Sequence, residues 1–159
     1  MTIHTADICD DHFDKIKVAD SIFSQYGKKK AFHGPIYTVK VFEDNVLVKK
    51  ALETIPEGSV LVVDGGGSRK RALMGDNLVD IAVKRKLAGI VIYGCIRDSS
   101  QVNEMEMGIF ALGTNPLKSI KQGKGQENIP VQFAGVSFEP GSYLYADEDG
   151  ILISENQLY

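Results

Sequence analysis

Two stretches of the chain are apolar without interruption: Val60-Leu61-Val62-Val63, closed by Asp64, and Gly89 to Gly94 (GIVIYG). Such runs lack the alternation of a half-exposed strand, so each predicts a strand covered on both faces. Between them Leu78, Ile81 and Ala82 fall on one face and predict a helix over about Asn77 to Leu87. Lys84, Arg85 and Lys86 near its end suit the helix dipole, and Gly89 stops it. Strand, helix and strand over about 30 residues form a βαβ unit, whose crossover is right-handed and whose strands are parallel.

The flanking patterns are shorter. Thr5-Ala6-Asp7-Ile8 predicts the start of a short helix with Thr5 as its N-cap. Ile36 to Phe42 (IYTVKVF) is β-branched and aromatic and predicts a strand; Val46 to Leu52 predicts a helix closed by Pro56-Glu57-Gly58. Gln101 to Met107 reads as helical, and Ile109 to Leu112 fits either a continuation of it or a new strand. Gln122 to Gln126 reads as a flexible polar loop and Val131 to Phe138 as one strand. Tyr143 to Ala146 and Ile151 to Ile153 predict a hairpin around Asp147-Glu148-Asp149-Gly150, with Asp-Gly as the turn signal. No repeat or linker interrupts the 159 residues, so the expectation is a single α/β domain over 1–159.

Composition narrows the function classes. Net charge is -3, which argues against non-specific nucleic-acid binding. No apolar run approaches the roughly 20 residues of a membrane-spanning helix, and no signal peptide is visible at Met1 to Thr5. Cys9 and Cys95 are far apart and form no C-x-x-C, which suits a reducing compartment, so a cytoplasmic protein is expected.

Candidate chemistry lies at the carboxyl ends of the two buried strands, where open α/β sheets bind ligands. Gly65-Gly66-Gly67 follows the first strand. It is neither a phosphate-binding P-loop nor a dinucleotide fingerprint, since Lys70 stands where each pattern needs glycine. It is either a tight turn or a nest of amides for an anion. Asp76 is followed, after twenty residues, by Arg97-Asp98 at the end of the second strand. Gly75-Asp76-Asn77-Leu78 opens the predicted helix, and Asp76 either caps it or serves a ligand held by the free amides. Arg97-Asp98 is either a surface ion pair or a fork for a substrate carboxylate beside a hard oxygen donor. His4, His12 and His33 are scattered, so a site here favours magnesium or manganese over zinc. Lys28-Lys29-Lys30 reads as a solvated loop ahead of a strand, with a nucleic-acid contact as the weaker reading.

From Val60 to Ser68, then Arg71-Ala72-Leu73, the chain resembles the RraA family: the regulators of ribonuclease activity A and their relatives, the 4-hydroxy-4-methyl-2-oxoglutarate aldolases. Phe42 to Asn45, Tyr93-Gly94, Leu144 to Asp147 and Gly150-Ile151 extend the match over nearly the whole chain. The resemblance implies a swivelling β/β/α fold, a homotrimeric ring, sometimes stacked as a dimer of trimers, and subunit interfaces bordering the sites. It implies that Asp98 binds a divalent metal (Mg2+ or Mn2+), that Arg97 contacts substrate, and that Gly75, Asp76, Asn77 and Leu78 form the substrate-binding loop. Some enzyme members carry a further acid three residues after the Arg-Asp pair, where this chain has Gln101, a departure that bears on the metal shell.

The expected activity is therefore a metal-dependent class II aldolase that cleaves 4-hydroxy-4-methyl-2-oxoglutarate-type keto acids to pyruvate and decarboxylates oxaloacetate. Arg97 and the metal stabilise the enolate, and Asp76 orients a water that moves protons. The competing expectation is a protein regulator that docks on ribonuclease E or on degradosome helicases through charged loops around Lys28 to Lys30 and Lys121 to Lys124, without metal, membrane or direct nucleic-acid contact. A methyltransferase reading, suggested by older naming in the family, finds no supporting glycine pattern.

Overall fold

The computed structural model describes residues 2–159. In chain order the elements are α1 (Thr5–Asp11), a single 3-10 turn (Phe13–Lys15), β1 (Ile16–Val18), β2 (Ser24–Tyr26), β3 (Phe32–Lys40), α2 (Val46–Thr54), β4 (Val60–Asp64), β5 (Ala72–Met74), α3 (Asp76–Lys84) and β6 (Gly89–Ile96). They continue with α4 (Ser99–Val102), β7 (Ile109–Thr114), β8 (Gln126–Glu127), β9 (Val131–Phe133), β10 (Val136–Phe138), β11 (Tyr143–Asp147) and β12 (Gly150–Ser154). A ten-stranded sheet has the order β1-β12-β11-β3-β4-β6-β7-β2, with β5 added beside β6 and β8 beside β3. The inner strands β3, β4, β6 and β7 are parallel, and β2 and β11 flank them antiparallel.

The two unbroken apolar runs are β4 and β6, adjacent and parallel, with α3 in the crossover. Their side chains divide between two cores as the pleat requires. Leu61, Val63, Ile90 and Ile92 pack with Val48 and Leu52 of α2 and Val79 and Ala82 of α3. Val60, Val62 and Val91 pack on the other face with Phe133 and Phe138 of the β9–β10 hairpin. The expected α/β class, parallel unit and terminal hairpin are therefore present.

Four expectations are corrected. Val131 to Phe138 is two strands, because Ala134 (φ 52°) and Gly135 (φ 74°) make a left-handed pair that turns the chain back. The predicted 101–107 helix is only α4 with a trailing turn, and Ile109 begins a strand paired with β6. The loop after Gln122 is pinned: Asp44, 4% exposed, accepts the backbone N–H groups of Gln122 and Lys124, and Gln126 already pairs with β3. Burial acts to raise the Asp44 pKa, but the backbone donors of Val46, Lys124, Gln122 and Gly123 outweigh it and leave it lowered. Finally, Thr5 is the first residue of α1 and caps nothing. Its N–H and hydroxyl instead donate to the Asp147 carboxylate, at 2.8 and 2.7 Å, tying the helix to the β11–β12 turn.

Burial acts to raise the Asp147 pKa, but hydrogen bonds from the Thr5 side chain and backbone and from Asp149 N–H prevail and lower it. A carboxylate whose folded value lies below its unfolded value stabilises the protein above the unfolded pKa of about 3.9 and loses that effect as pH falls through the folded value. Asp147→Asn is therefore expected to cost about 1–3 kcal/mol in urea unfolding at pH 7. The gap to wild type should shrink in acid; a gap independent of pH would contradict the assignment.

Candidate active site

Strand β5 sits at the end of β6 because the Arg97 N–H donates to the Met74 carbonyl at 2.9 Å. That bond places the start of α3, which follows β5 directly, beside Arg97-Asp98. A cleft of about 540 Å³ opens there. It is lined by Gly75, Asp76, Asn77 and Leu78, by Arg97 and Asp98, by Asn45, Val46 and Lys49 at the start of α2, and by Lys118, Ser119 and Lys121. The residues singled out from the sequence, Gly75 to Leu78, Arg97 and Asp98, thus share one cavity at the carboxyl ends of the strands.

The local geometry depends on Gly75. A Cβ there would lie 2.5 Å from Asp98 Oδ2 and 3.3 Å from Arg97 Cγ. With no side chain in the way, Asp98 Oδ2 accepts the Asp76 N–H at 3.1 Å. Asp98 itself has φ 57°, a left-handed conformation that aspartate tolerates better than most residues. The helix-capping reading of Asp76 is therefore corrected. Gly75 is the N-cap position, Asp76 is the first helical residue, and the acceptor for its amide is Asp98, 22 positions along the chain. The first intrahelical bond in this turn runs from Val79 N–H to Gly75 carbonyl. The amides of Asn77 and Leu78 precede it and face no intrahelical acceptor.

The donor set fits a hard, hydrated cation. Asp76 and Asp98 are the carboxylates lining the cleft, no histidine or cysteine joins them, and no group of three His, Cys, Asp or Glu side chains suited to a metal occurs among the described residues. One or two carboxylates plus water and substrate oxygens is how magnesium is commonly held, and it is a poor zinc site. Gln101 is exposed on α4, accepts from Ser100 Oγ, and does not line the cleft.

Sequence reasoning missed the opposite wall. Asn45 Oδ1 accepts from Lys121 Nζ at 2.9 Å, while Asn45 Nδ2 donates to the Leu73 carbonyl at 3.1 Å. Buried Ser119 donates through Oγ to the Ala72 carbonyl at 2.7 Å. These residues reach the cleft from segments far apart in the chain. Of these residues only Lys121 carries a local signal, as the start of the charged loop Lys121 to Lys124.

Other candidates resolve differently. The triple glycine is a tight turn: the N–H groups of Gly65 and Gly67 donate to the Tyr93 carbonyl and that of Gly66 to Asp64 Oδ1, so the three amides are already engaged. The lysine run is not simply solvated. Lys29 is half-buried with Nζ on the Ala88 carbonyl, Lys30 Nζ donates to the Gly27 carbonyl, and Lys28 lies 3.9 Å from Glu104. Burial lowers the Lys29 pKa, against an opposing pull from Glu106. Cys95 is buried at the end of β6 and its thiol pKa is raised by burial. His33 lies on the β3–β11 side, with Nδ1 2.9 Å from the Tyr143 hydroxyl.

An arginine and two carboxylates thus converge in one cleft at the strand ends of a mixed sheet. The chain belongs to the RraA-like family, described as Aldolase/RraA, whose model matches residues 5–153. A relative from Bacillus cereus, provisionally named 4-hydroxy-4-methyl-2-oxoglutarate aldolase, is 54% identical over 98% of both chains. Two solved structures are similar throughout. One, from Geobacillus kaustophilus, is titled an S-adenosylmethionine: 2-dimethylmenaquinone methyltransferase, with TM-score 0.97, 53% identity and 98% and 97% coverage of this chain and that one. The other is the RNA-processing inhibitor RraA from Thermus thermophilis, with TM-score 0.96, 40% identity and 100% and 96% coverage.

Gly75→Ala is expected to displace Asp98 and lower stability by about 1–3 kcal/mol, the usual cost of overpacking. An unchanged melting temperature would show that Asp98 has room to spare.

Proposed function

We propose that this chain is a carbon–carbon lyase that cleaves 4-hydroxy-4-methyl-2-oxoglutarate-type keto acids to pyruvate and decarboxylates oxaloacetate at the same site, with Mg2+ or Mn2+. The observation that carries the reading is the convergence of Arg97, Asp98 and the Gly75 to Leu78 turn in one cleft. The names of the relatives support the substrate class.

Asp98 would hold the metal, which would supply Lewis acidity at the keto oxygen. Arg97 offers a planar fork to the carboxylate beside the keto group and balances the negative charge that builds as the bond breaks. The Asn77 and Leu78 amides, at the positive end of α3, orient that carboxylate. In the aldol substrate the proton leaves the 4-hydroxyl, the bond between C3 and C4 breaks, and C4 becomes the ketone of one pyruvate. The remaining three carbons are pyruvate enolate, protonated at C3 to give the second. Asp76 holds the water that takes the first proton and returns the last. Oxaloacetate loses carbon dioxide to leave the same enolate, so one constellation serves both reactions.

Val46, 37% exposed, lines the cleft, and Leu117 and Ile120, 50% and 40% exposed, flank the cleft-lining Lys118 and Ser119 in the chain. Apolar exposure here suits an interface; the assembly proposed from the family resemblance is a homotrimer, or two stacked as a hexamer, with the cleft at the subunit border. Light scattering at a single chain mass of 17.4 kDa would contradict it. Two free cysteines suit a cytoplasmic setting, and no helix of the described residues is long and apolar enough to cross a membrane.

A second reading, a protein regulator that binds ribonuclease E or a degradosome helicase, is favoured by the likeness to the Thermus inhibitor. It needs neither Arg97 nor a metal. Arg97→Ala discriminates the two: the lyase reading predicts a fall in pyruvate turnover of about 100-fold or more, as for loss of a transition-state donor. An unchanged rate would remove Arg97 from the mechanism.

A further inference from the structure

Asp44 stands behind the cleft and not in it. It is 4% exposed and lines no part of the cavity, yet it joins the two segments that face each other across one of its walls. One segment is the start of α2, with Asn45 and Val46; the other runs through Ser119 and Lys121. Asp44 Oδ1 accepts the Val46 N–H at 3.1 Å, and Oδ2 accepts the N–H groups of Gln122 at 3.0 Å and Lys124 at 3.2 Å. Both oxygens of one buried carboxylate are thus engaged by backbone donors, one from each segment. Moving either segment would leave a buried charge short of partners, so the carboxylate acts as a fixed point between them.

The same contact decides what Asn45 does. Asn45 holds the N-cap position of α2, where asparagine ordinarily accepts an amide of the first turn. Here it makes no capping bond, and its backbone, at φ -108° and ψ 13°, is not the extended conformation of a capping residue. With Asp44 holding the first amide of the helix, the Asn45 side chain is released. Its Nδ2 donates to the Leu73 carbonyl at 3.1 Å, and its Oδ1 accepts from Lys121 Nζ at 2.9 Å. Lys121 directly precedes the pinned Gln122, so Asp44 sets both ends of the Asn45–Lys121 contact. The other half of the cleft is built without it: Arg97 N–H on the Met74 carbonyl and Asp76 N–H on Asp98 place Gly75 to Leu78, Arg97 and Asp98.

We propose that Asp44 is a positioning residue of the cleft. It keeps Asn45 from capping α2 and fixes the 121–124 segment beside it, so substrate affinity depends on a carboxylate that touches no substrate. This rests on the reading of the cleft as the lyase site. Without Asp44, Asn45 turns to the free amides of α2, as asparagine does at an N-cap, and its contact with Lys121 opens.

The test compares Asp44→Asn with wild type in oxaloacetate decarboxylation and in calorimetric titration of 2-oxoglutarate, both with Mg2+. The second acid has neither a 4-hydroxyl nor a carboxylate β to the keto group, so it stays intact. KM and the 2-oxoglutarate Kd are expected to rise about tenfold, as for one lost polar contact. The kcat should stay within about twofold, the mark of lost uniform binding. Asn45→Ala should raise both constants similarly, and the double variant should be no worse than the weaker single one, because both changes act through one contact. Asp147→Asn controls for lost stability: it removes the other buried carboxylate held by backbone donors, lines no part of the cleft, and should leave KM and Kd at wild-type values. If Asp44→Asn does not fold, Asp44→Ser, which still offers the Val46 amide an acceptor, should raise both constants by a smaller factor. Constants unchanged in the folded Asp44 variant, a kcat that falls tenfold with them, an equal rise in Asp147→Asn, or effects that add in the double variant would overturn the proposal. A raised Kd without turnover in wild type would sink the lyase reading and leave Asp44 its role; turnover with constants untouched by the Asp44 change would do the reverse.

Discussion

One backbone hydrogen bond, from Arg97 N–H to the Met74 carbonyl, organises the functional end of this molecule. It docks a three-residue strand, too short to be stable alone, onto the end of a fully supported one. The consequence is spatial: Gly75 and Asp76, which follow that strand, come to lie against Arg97 and Asp98. Asp98 then closes the arrangement from the other direction by accepting the first amide of α3. A helix start, a strand end and a carboxylate are thereby locked to one another, and each is half-exposed in a cleft. Such mutual fixing is how a site keeps polar groups aimed at a ligand at little cost in ligand-induced ordering.

What was legible in the sequence follows from how local each signal was. β4 and β6 announced themselves because burial on both faces leaves no polar position in the run, and the β11–β12 hairpin because its Asp-Gly turn needs no distant partner. Gly75 to Leu78, Arg97 and Asp98 could be nominated because they end or begin such elements. β5 could not be read: Ala72-Leu73-Met74 is three residues between a basic loop and a turn, and is a strand only because β6 offers it an edge. The break at Ala134-Gly135 was hidden because alanine rarely adopts positive φ. Asp98 as the partner of the α3 amide was hidden because capping rules look at neighbours in sequence. Asn45, Lys118 and Lys121 needed the tertiary fold to appear as one wall.

The electrostatics of the cleft are coherent with its shape. Where the protein needs a charge for structure it supplies the partner, as in the buried carboxylates of Asp44 and Asp147, each saturated by backbone donors. In the cleft it does not, and the unmatched arginine and lysines stand ready for an anion. The triple glycine, which draws the eye first in the sequence, has the opposite character: its amides are consumed by Tyr93 and Asp64, and it serves the turn. Cleft cations that form no ion pair among the described residues, more than the glycine motif, separate site from scaffold in this chain.

The central claim is metal-assisted cleavage of a keto acid at Asp98. It is tested most directly by pyruvate release from 4-hydroxy-4-methyl-2-oxoglutarate in wild type and Asp98→Ala, first stripped with chelator and then resupplied with Mg2+ or Mn2+. The account predicts that release stops on stripping, returns with the metal in wild type, and does not return in Asp98→Ala. Release that persists in the stripped enzyme, or that the metal restores equally in the variant, would contradict it.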